Sequence, residues 1–247
     1  KLPPAFDGYR IVHLTDLHTS RLLPESWLSE TLRITDYLKP DLVLITGDLI
    51  DGTPENRQRD IRPFRQLTAP DGVWASLGNH EYYSGLDGWL EAFDNLNLPV
   101  LINENIRITR DSEDIVIAAI TDIAADRFGE EMPDIDKALA NTNDEDMIIL
   151  MSHRPIKTQQ HADKGVSLQL SGHTHGGQIF ALNLFTKIAN QGFLMGLYKI
   201  DEMYLYLSRG AGLWGGLPVR IGVESEITEI TLRSTKTKAE AKDTPAL

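Results

Sequence analysis

The stretch RIVHLTDLH, residues 10–18, joins a short apolar run to two residues of metal-ligating type. The run Arg10–Leu14 has the length and apolar character of a buried strand. Asp16 and His18 follow it, and alternate residues of an extended segment point the same way. The stretch therefore predicts a strand that presents a carboxylate and an imidazole to one place.

Four further apolar runs are predicted as buried strands, at residues 41–46, 73–77, 147–151 and 166–170. Each is followed by residues that can bind a metal, namely G-D at 47–48, G-N-H-E at 78–81, S-H-R at 152–154 and S-G-H-T-H-G-G at 171–177. Ligands bind at the carboxyl ends of the strands in open α/β sheets, so we expect all five clusters to converge. Their mixture of carboxylate, imidazole and amide groups suits Mn, Fe or Zn better than Ca or Mg.

Composition excludes several classes of protein. The chain has 247 residues, 24 of them basic and 36 acidic, and a net charge of −12. That balance argues against a general nucleic-acid binder, although bound metal can still attract a phosphate substrate. The absence of cysteine excludes thiolate sites and cysteine nucleophiles. The motifs H-E-x-x-H, G-x-S-x-G and the P-loop ending G-K-[ST] are also absent.

Strands alternate with helices in the first part of the chain, and strands dominate after residue 178, which predicts sheet layers flanked by helices. We expect a single domain over residues 1–233 and a disordered tail over residues 234–247, which is polar and aperiodic. The apolar window 180–197 is predicted as a core strand, and Trp214 as packed inward. The alternative for both is an exposed contact for a lipid or a membrane surface.

Taken in order, D-x-H, G-D, G-N-H-E, S-H and G-H-T-H resemble the motifs of the calcineurin-like metallophosphoesterases, over roughly residues 6–232. The resemblance implies a four-layer α/β/β/α sandwich with two mixed sheets flanked by helices. It implies a first metal held by Asp16, His18, Asp48 and His175. It implies a second metal held by Asp48, Asn79, His153 and His173, with Asp48 as the bridge.

The same resemblance implies a hydrolase of phosphate esters or pyrophosphates, in which Asp48 and His80 are catalytic. A hydroxide shared by two divalent metals (Mn, Fe or Zn) attacks phosphorus, and His80 gives a proton to the leaving group. Glu81 stands where the wider family usually has Asp, which puts its role and the orientation of His80 in doubt. The alternative function is a catalytically silent binding module on the same fold.

The sequences G-H-T-H-G-G-Q and S-R-G-A-G…P-V-R are similar to a bacterial branch whose members are often tethered to, or exported across, the cytoplasmic membrane. We therefore expect a membrane-associated or envelope location over a cytoplasmic one. The expected partners are a phosphorylated small molecule or a lipid-linked substrate, with peripheral membrane contact and no nucleic acid.

Four polar residues that are not among the predicted ligands also have predicted places. His13 is expected in the core, His161 on the surface of a helix, and Asp122 on a solvated loop. Arg154 is expected to contact either the substrate phosphate or a surface carboxylate.

Overall fold

Two β-sheets packed face to face position the residues of interest. The structure is a computed structural model that describes residues 1–216 and 218–234, so nearly all of the predicted tail lies outside the described residues. Within them the chain has ten strands: β1 Arg10–Leu14, β2 Leu42–Thr46, β3 Val73–Ser76, β4 Glu104–Arg110, β5 Glu113–Ala119, β6 Met147–Met151, β7 Leu168–Ser171, β8 Gly196–Ile200, β9 Met203–Leu207 and β10 Thr228–Thr231. All five strands predicted to lead into the metal-ligating clusters are present.

The first sheet has four strands in the order β10-β1-β2-β3, and the second has six in the order β4-β5-β6-β7-β9-β8. Strands β1, β2 and β3 are parallel, as are β5, β6, β7 and β9. The strands β10, β4 and β8 pair antiparallel to their neighbours. Both sheets are therefore mixed, as predicted, and each keeps its parallel strands next to one another.

The helices within the described residues are short apart from the first. They are α1 Glu25–Tyr37, α2 Pro54–Arg57, α3 Asn79–Tyr83, α4 Leu86–Asp94, α5 Ile135–Ala138, α6 Thr158–Asp163 and α7 Asn183–Ala189. Single 3-10 turns occur at Pro4–Phe6, Arg62–Gln66, Ile123–Phe128, His175–Gly177 and Phe180–Leu182. None of these helices is both long and apolar enough to cross a bilayer.

Strand β2 shows how the layers form, because all five of its residues are buried. Leu42 and Leu44 face the second sheet, in one core with residues of β5, β6 and β7. Val43 and Ile45 face the other way, in a core with residues of α1 and α4. A third core packs α5 on the outer face of the second sheet. The layers are therefore helix, sheet, sheet and helix, which confirms the predicted sandwich.

Helix α1 follows its sequence closely. Pro24 precedes its first turn, and Leu28, Leu32 and Thr35 form a buried stripe at helical spacing. The helix ends before Pro40, as Pro cannot continue an α-helix. Its carboxyl end lies at the edge of the first sheet opposite the carboxyl ends of the parallel strands, because it runs back along β1.

The strand-rich ending predicted after residue 178 is only partly correct. Residues 180–189 form a 3-10 turn and helix α7, so the predicted core strand across residues 180–197 is wrong for that part. The chain leaves the sheet region at Gly177 and Gln178, whose φ angles of 83° and 54° are incompatible with an extended strand. The last strand of the described residues is β10.

Replacement of Leu44 with Ala should destabilise the protein by about 2–5 kcal/mol, because it opens a cavity between the two sheets. Leu184, on α7, is 67% exposed and supplies the control, since Leu184→Ala removes the same atoms from a solvated position. Chemical denaturation of both variants measures the difference. Equal losses of stability would contradict the described packing.

Candidate metal centre

The five predicted clusters meet at one edge of the sandwich. Those after β1, β2 and β3 come from the first sheet, and those after β6 and β7 come from the second. The carboxyl ends of the parallel strands of both sheets point to this edge. The predicted ligands therefore reach a common place from both sheets of the sandwich.

Asp48 lies at the centre of this place. Its Oδ2 atom lies 3.2 Å from Nε2 of His153, 3.6 Å from Nε2 of His18 and 3.9 Å from Nε2 of His80. Its Oδ1 atom accepts a hydrogen bond of 2.8 Å from the backbone N–H of His80. The side chain is nearly inaccessible to solvent. One buried carboxylate therefore faces three imidazoles.

A first group of ligand atoms comes from Asp16, His18 and His175, within 4.8 Å of one another. Oδ1 of Asp16 lies 3.4 Å from Nε2 of His175, and the two imidazole Nε2 atoms lie 3.1 Å apart. The backbone N–H of His173 and the hydroxyl of Thr15 donate to the Asp16 carboxylate and hold it in place. The group presents three converging donors.

A second group comes from Asp48, His153 and His173, again within 4.8 Å of one another. Nδ1 of His153 lies 2.8 Å from the carbonyl oxygen of Thr46, so this nitrogen donates and Nε2 faces Asp48. Burial lowers the pKa of His153, but the adjacent Asp48 carboxylate outweighs it and raises the pKa to about 10. The space between the two groups therefore favours a positive charge.

Two of the predicted ligands have a buried atom without a hydrogen-bond partner among the described residues: Oδ1 of Asn79 and Nε2 of His153. Although Nε2 of His153 is close to Asp48, the pair does not have hydrogen-bonding geometry. An unpaired buried polar atom costs about 1–3 kcal/mol, so each needs an explanation. Both belong to the predicted second metal site, and a cation would satisfy both. The two groups, joined where His18 approaches Asp48, fit a dinuclear divalent metal site.

The predicted ligands converge by a route that sequence analysis did not foresee. Five of the seven have a left-handed backbone: Asp16, His18, Asp48, His173 and His175, with φ between 45° and 71°. The expectation that residue pairs converge by alternation along an extended segment is therefore wrong. Such conformations are uncommon outside glycine and cluster at functional sites, where the surrounding structure maintains them.

Two glycines allow the loops to approach the carboxylates. A Cβ atom on Gly172 would lie 2.2 Å from Oδ2 of Asp16, and one on Gly78 would lie 2.3 Å from Oδ1 of Asp48. Both distances are shorter than any tolerable contact. Only glycine therefore fits at these two positions.

Asp51, which sequence analysis did not single out, orients two histidines. Its Oδ1 atom lies 3.0 Å from Nδ1 of His18 and 2.5 Å from Nδ1 of His80. Because a carboxylate only accepts, both Nδ1 atoms donate, and the two Nε2 atoms turn towards Asp48. The signal was present in the sequence G-D-L-I-D, where Asp51 follows Asp48 in the same loop.

His80 has the charge that a proton donor needs. Burial lowers its pKa, but the hydrogen bond to Asp51 and the charge of Asp48 raise it, to about 9 in total. The contacts with Asp51 and Asp48 therefore favour the protonated ring. It lines a cavity of about 480 Å³ together with Asp48, Asn79 and Tyr83.

Glu81 has a structural role that answers the question raised by its sequence position. Its two carboxylate oxygens accept hydrogen bonds from the backbone N–H groups of Asp48, Leu49 and Gly78, at 2.7–3.0 Å. Burial and the nearby Asp48 charge raise its pKa to about 6. Glu81 thus ties the loop after β2 to the loop after β3, and Asp51, not Glu81, orients His80.

Arg154 is held at the cavity by a residue whose predicted location was wrong. Asp122, expected on a solvated face, is buried and accepts a 2.8 Å hydrogen bond from Nε of Arg154. Nη1 of Arg154 lies 3.0 Å from Nε2 of His173. The guanidinium therefore stands beside the second group, anchored at one end and facing the cavity at the other.

Three other predictions have mixed outcomes. His13 is fully buried, with Nε2 2.7 Å from the Thr46 hydroxyl, which confirms a core residue. His161 is also buried, against Gln169, so its predicted surface position is wrong. Trp214 is 47% exposed, which contradicts the inward packing that was favoured for it.

Comparison with known proteins agrees with this geometry. The family model for calcineurin-like phosphoesterases matches residues 9–177, which include all seven predicted metal ligands. The chain belongs to the calcineurin-like phosphoesterase family. The match to the family model does not confirm the predicted bacterial branch.

Two relatives show the extent of the similarity. A transmembrane protein with metallophosphoesterase domain from Bos taurus is 34% identical over 95% of this chain and 55% of its own length. An uncharacterized metallophosphoesterase from Campylobacter jejuni is 35% identical over 96% of this chain and 62% of its own length. This chain thus spans a little over half the length of these curated relatives.

The fold is also similar to that of a solved structure, the NAD nucleotidase of Haemophilus influenzae. The two superpose with a TM-score of 0.54 and 18% identity, over 82% of this chain and 45% of the nucleotidase. At that level of identity the likeness concerns the fold alone.

Manganese should raise the melting temperature of the metal-free protein, because it binds the folded state and not the unfolded one. At a concentration of 100 Kd the gain is about 2.7 kcal/mol. Asp48→Asn should abolish most of it, whereas Asp94→Asn, an exposed carboxylate on α4, should not. Scanning calorimetry with and without a chelator measures the shift. An equal shift in both variants would exclude the described site.

Proposed function

We propose that this chain hydrolyses a phosphate ester or a pyrophosphate bond. The observation that carries the proposal is the Asp48 carboxylate, which stands between two groups of buried ligand atoms beside an accessible cavity. Family membership supports the same reaction class. The seven residues proposed to hold the cations are Asp16, His18, Asp48, Asn79, His153, His173 and His175.

Two divalent cations, Mn, Fe or Zn, would supply the Lewis acidity that activates a water molecule and neutralises phosphoryl oxygens. The side chains around them provide the rest of the chemistry. Asp16 and Asp48 contribute two negative charges, which leave the site with a net positive charge when both cations are bound. An anionic substrate is thereby attracted although the chain as a whole is acidic.

His80 is proposed to donate the proton that the leaving oxygen requires. Its Nδ1 atom is occupied by Asp51, so Nε2 is the nitrogen that can donate. Asp51 thereby holds the ring in one orientation and stabilises its charged form. In other acid–base pairs, too, a carboxylate fixes the tautomer of a histidine and leaves the second ring nitrogen to transfer the proton.

Arg154 is proposed to bind a phosphoryl oxygen of the substrate. Asp122 holds its Nε atom, and the outer part of the guanidinium faces the cavity near the second group. A planar, permanently charged donor in this position suits a tetrahedral anion. The contact with His173 would give way to the substrate.

For the substrate we propose a phosphorylated small molecule or a lipid-linked phosphate, in a membrane-associated or envelope location. The cavity supports this, because Leu182, Ala189 and Trp214 line it together with the charged residues. Relatives from Bos taurus and Danio rerio are named transmembrane proteins, which supports the location. The acidic composition argues against nucleic acid as a substrate.

Turnover of p-nitrophenyl phosphate or bis-p-nitrophenyl phosphate should depend on added Mn²⁺. His80→Ala should lower kcat by about 10²–10⁴, the usual value of a proton donor. Asp51→Asn should lower kcat by a smaller factor and weaken the pH dependence that His80 confers. His161→Asn supplies a control, since it changes a buried histidine whose hydrogen-bond partner is Gln169 and not Asp51. If the metal-loaded wild-type chain turns over neither these substrates nor pyrophosphate, the silent binding module is the better description.

Arg154→Gln should raise KM by about tenfold or more with a smaller change in kcat, because it removes a charged hydrogen bond worth about 1.5–3 kcal/mol. Arg127→Gln, on the exposed 3-10 turn at Ile123–Phe128, is the control. Initial rates over a range of substrate concentrations separate the two constants. An unchanged KM would show that Arg154 only supports Asp122.

A further inference from the structure

Helix α7 exposes an unusual amount of apolar surface. Leu184 is 67% exposed, and Phe185 and Ile188 are each 70% exposed. Every residue of the helix is at least partly accessible. This apolar segment was expected in the core. Large exposed apolar patches on soluble proteins commonly mark a surface that binds a partner or a membrane.

Neighbouring loops extend this surface. Phe180 is 73% exposed and donates its backbone N–H to the carbonyl oxygen of Ile221, which is itself 58% exposed. The half-exposed Trp214 donates its backbone N–H to the side chain of Gln178, in the loop that leads to Phe180. We call the resulting surface the apolar cap; it consists of Phe180, Leu184, Phe185, Ile188, Trp214 and Ile221. It lies outside residues 9–177, which match the family model.

Charge distinguishes the apolar cap from the rest of the molecule. Residues 171–200 contain no Asp or Glu, whereas the chain average of 36 in 247 would place about four there. The two charged residues of this segment are Lys187, between Phe185 and Ile188 on α7, and Lys199. The stretch that contains α7 is thus apolar and weakly basic, although the protein as a whole is acidic. That combination suits the headgroup region of an anionic bilayer, where apolar side chains insert and lysine meets phosphate.

The apolar cap also adjoins the cavity. Leu182, Thr186, Ala189 and Asn190 lie at or near α7 and line the cavity that reaches Asp48 and His80. Phe185, Lys187 and Ile188 lie outside that lining. One short helix therefore has a side towards the site and a side towards solvent.

We propose that the apolar cap docks this protein onto the surface of an anionic phospholipid bilayer. Docking would bring the cavity to the lipid surface, and only this consequence for substrate access rests on the proposed function. A second copy of the chain is the competing occupant. The absence of Asp and Glu from residues 171–200, with Lys187 exposed among the apolar side chains of α7, favours an anionic lipid surface.

Flotation of the purified chain with phosphatidylcholine vesicles, with and without phosphatidylglycerol, tests the proposal. The wild type should bind vesicles that contain phosphatidylglycerol. Phe185→Ser combined with Ile188→Ser should lower the partition coefficient by about tenfold or more, because two large apolar side chains no longer insert. Lys187→Glu should weaken binding to anionic vesicles more than to neutral ones.

Tyr37→Ser is the matched control, because Tyr37 is 80% exposed at the end of α1 remote from the site. Its binding should equal that of the wild type. Thermal unfolding verifies that each variant folds. Turnover of p-nitrophenyl phosphate without lipid should be the same in the wild type and the Phe185 and Ile188 variant, since neither residue lines the cavity.

Wild-type chain that turns over the substrate but ignores both kinds of vesicle would overturn the docking proposal and leave the proposed function intact. Chain that binds vesicles but turns over no substrate would overturn the proposed function and leave the docking proposal intact. Self-association that depends on Phe185 and Ile188, measured by light scattering without vesicle binding, would assign the apolar cap to a second copy instead.

Discussion

Burial of three carboxylates in one small volume is the constraint on which this structure depends. Asp16, Asp48 and Glu81 are each almost inaccessible to water, and a buried unpaired charge costs several kcal/mol. Each carboxylate therefore needs donors or cations around it. Backbone N–H groups satisfy Glu81, a backbone N–H and a hydroxyl satisfy Asp16, and imidazoles surround Asp48. These contacts join the loops after different strands and so fix their positions at this edge.

The same requirement explains the local backbone. A left-handed residue turns the chain sharply, so Asp16 and His18 can both face inward from a loop only a few residues long. Such residues cost of order 1–3 kcal/mol each. The fold maintains them because the neighbouring glycines leave room and the bonded carboxylates hold the loops. The strained left-handed residues and the hydrogen bonds to the buried carboxylates thus depend on each other.

The sequence predicted those features that depend on local apolar pattern and on the order of the motifs along the chain. The strands leading to the five clusters and the layered fold follow from apolar runs and from the family resemblance. The left-handed turns were not predictable, since φ at Asp16 or His173 is determined by contacts between loops distant in the chain. Asp51 was not singled out and Asp122 was wrongly placed on a solvated loop, because the partners of each carboxylate lie elsewhere in the chain. The segment 180–189 was misjudged because an apolar run does not reveal whether a sheet is available to cover it.

The predicted ligands are divided between the two sheets, and this division has a mechanical consequence. Asp16, His18, Asp48 and Asn79 come from one sheet, and His153, His173 and His175 from the other, while His153 also reaches across to the carbonyl oxygen of Thr46. Bound cations would therefore join two layers that are otherwise held together by side-chain packing and by hydrogen bonds such as the one between His153 and Thr46. Any sliding of one layer over the other would separate the halves of the coordination shell. Metal content would then report on the alignment of the sheets as much as on the ligands themselves.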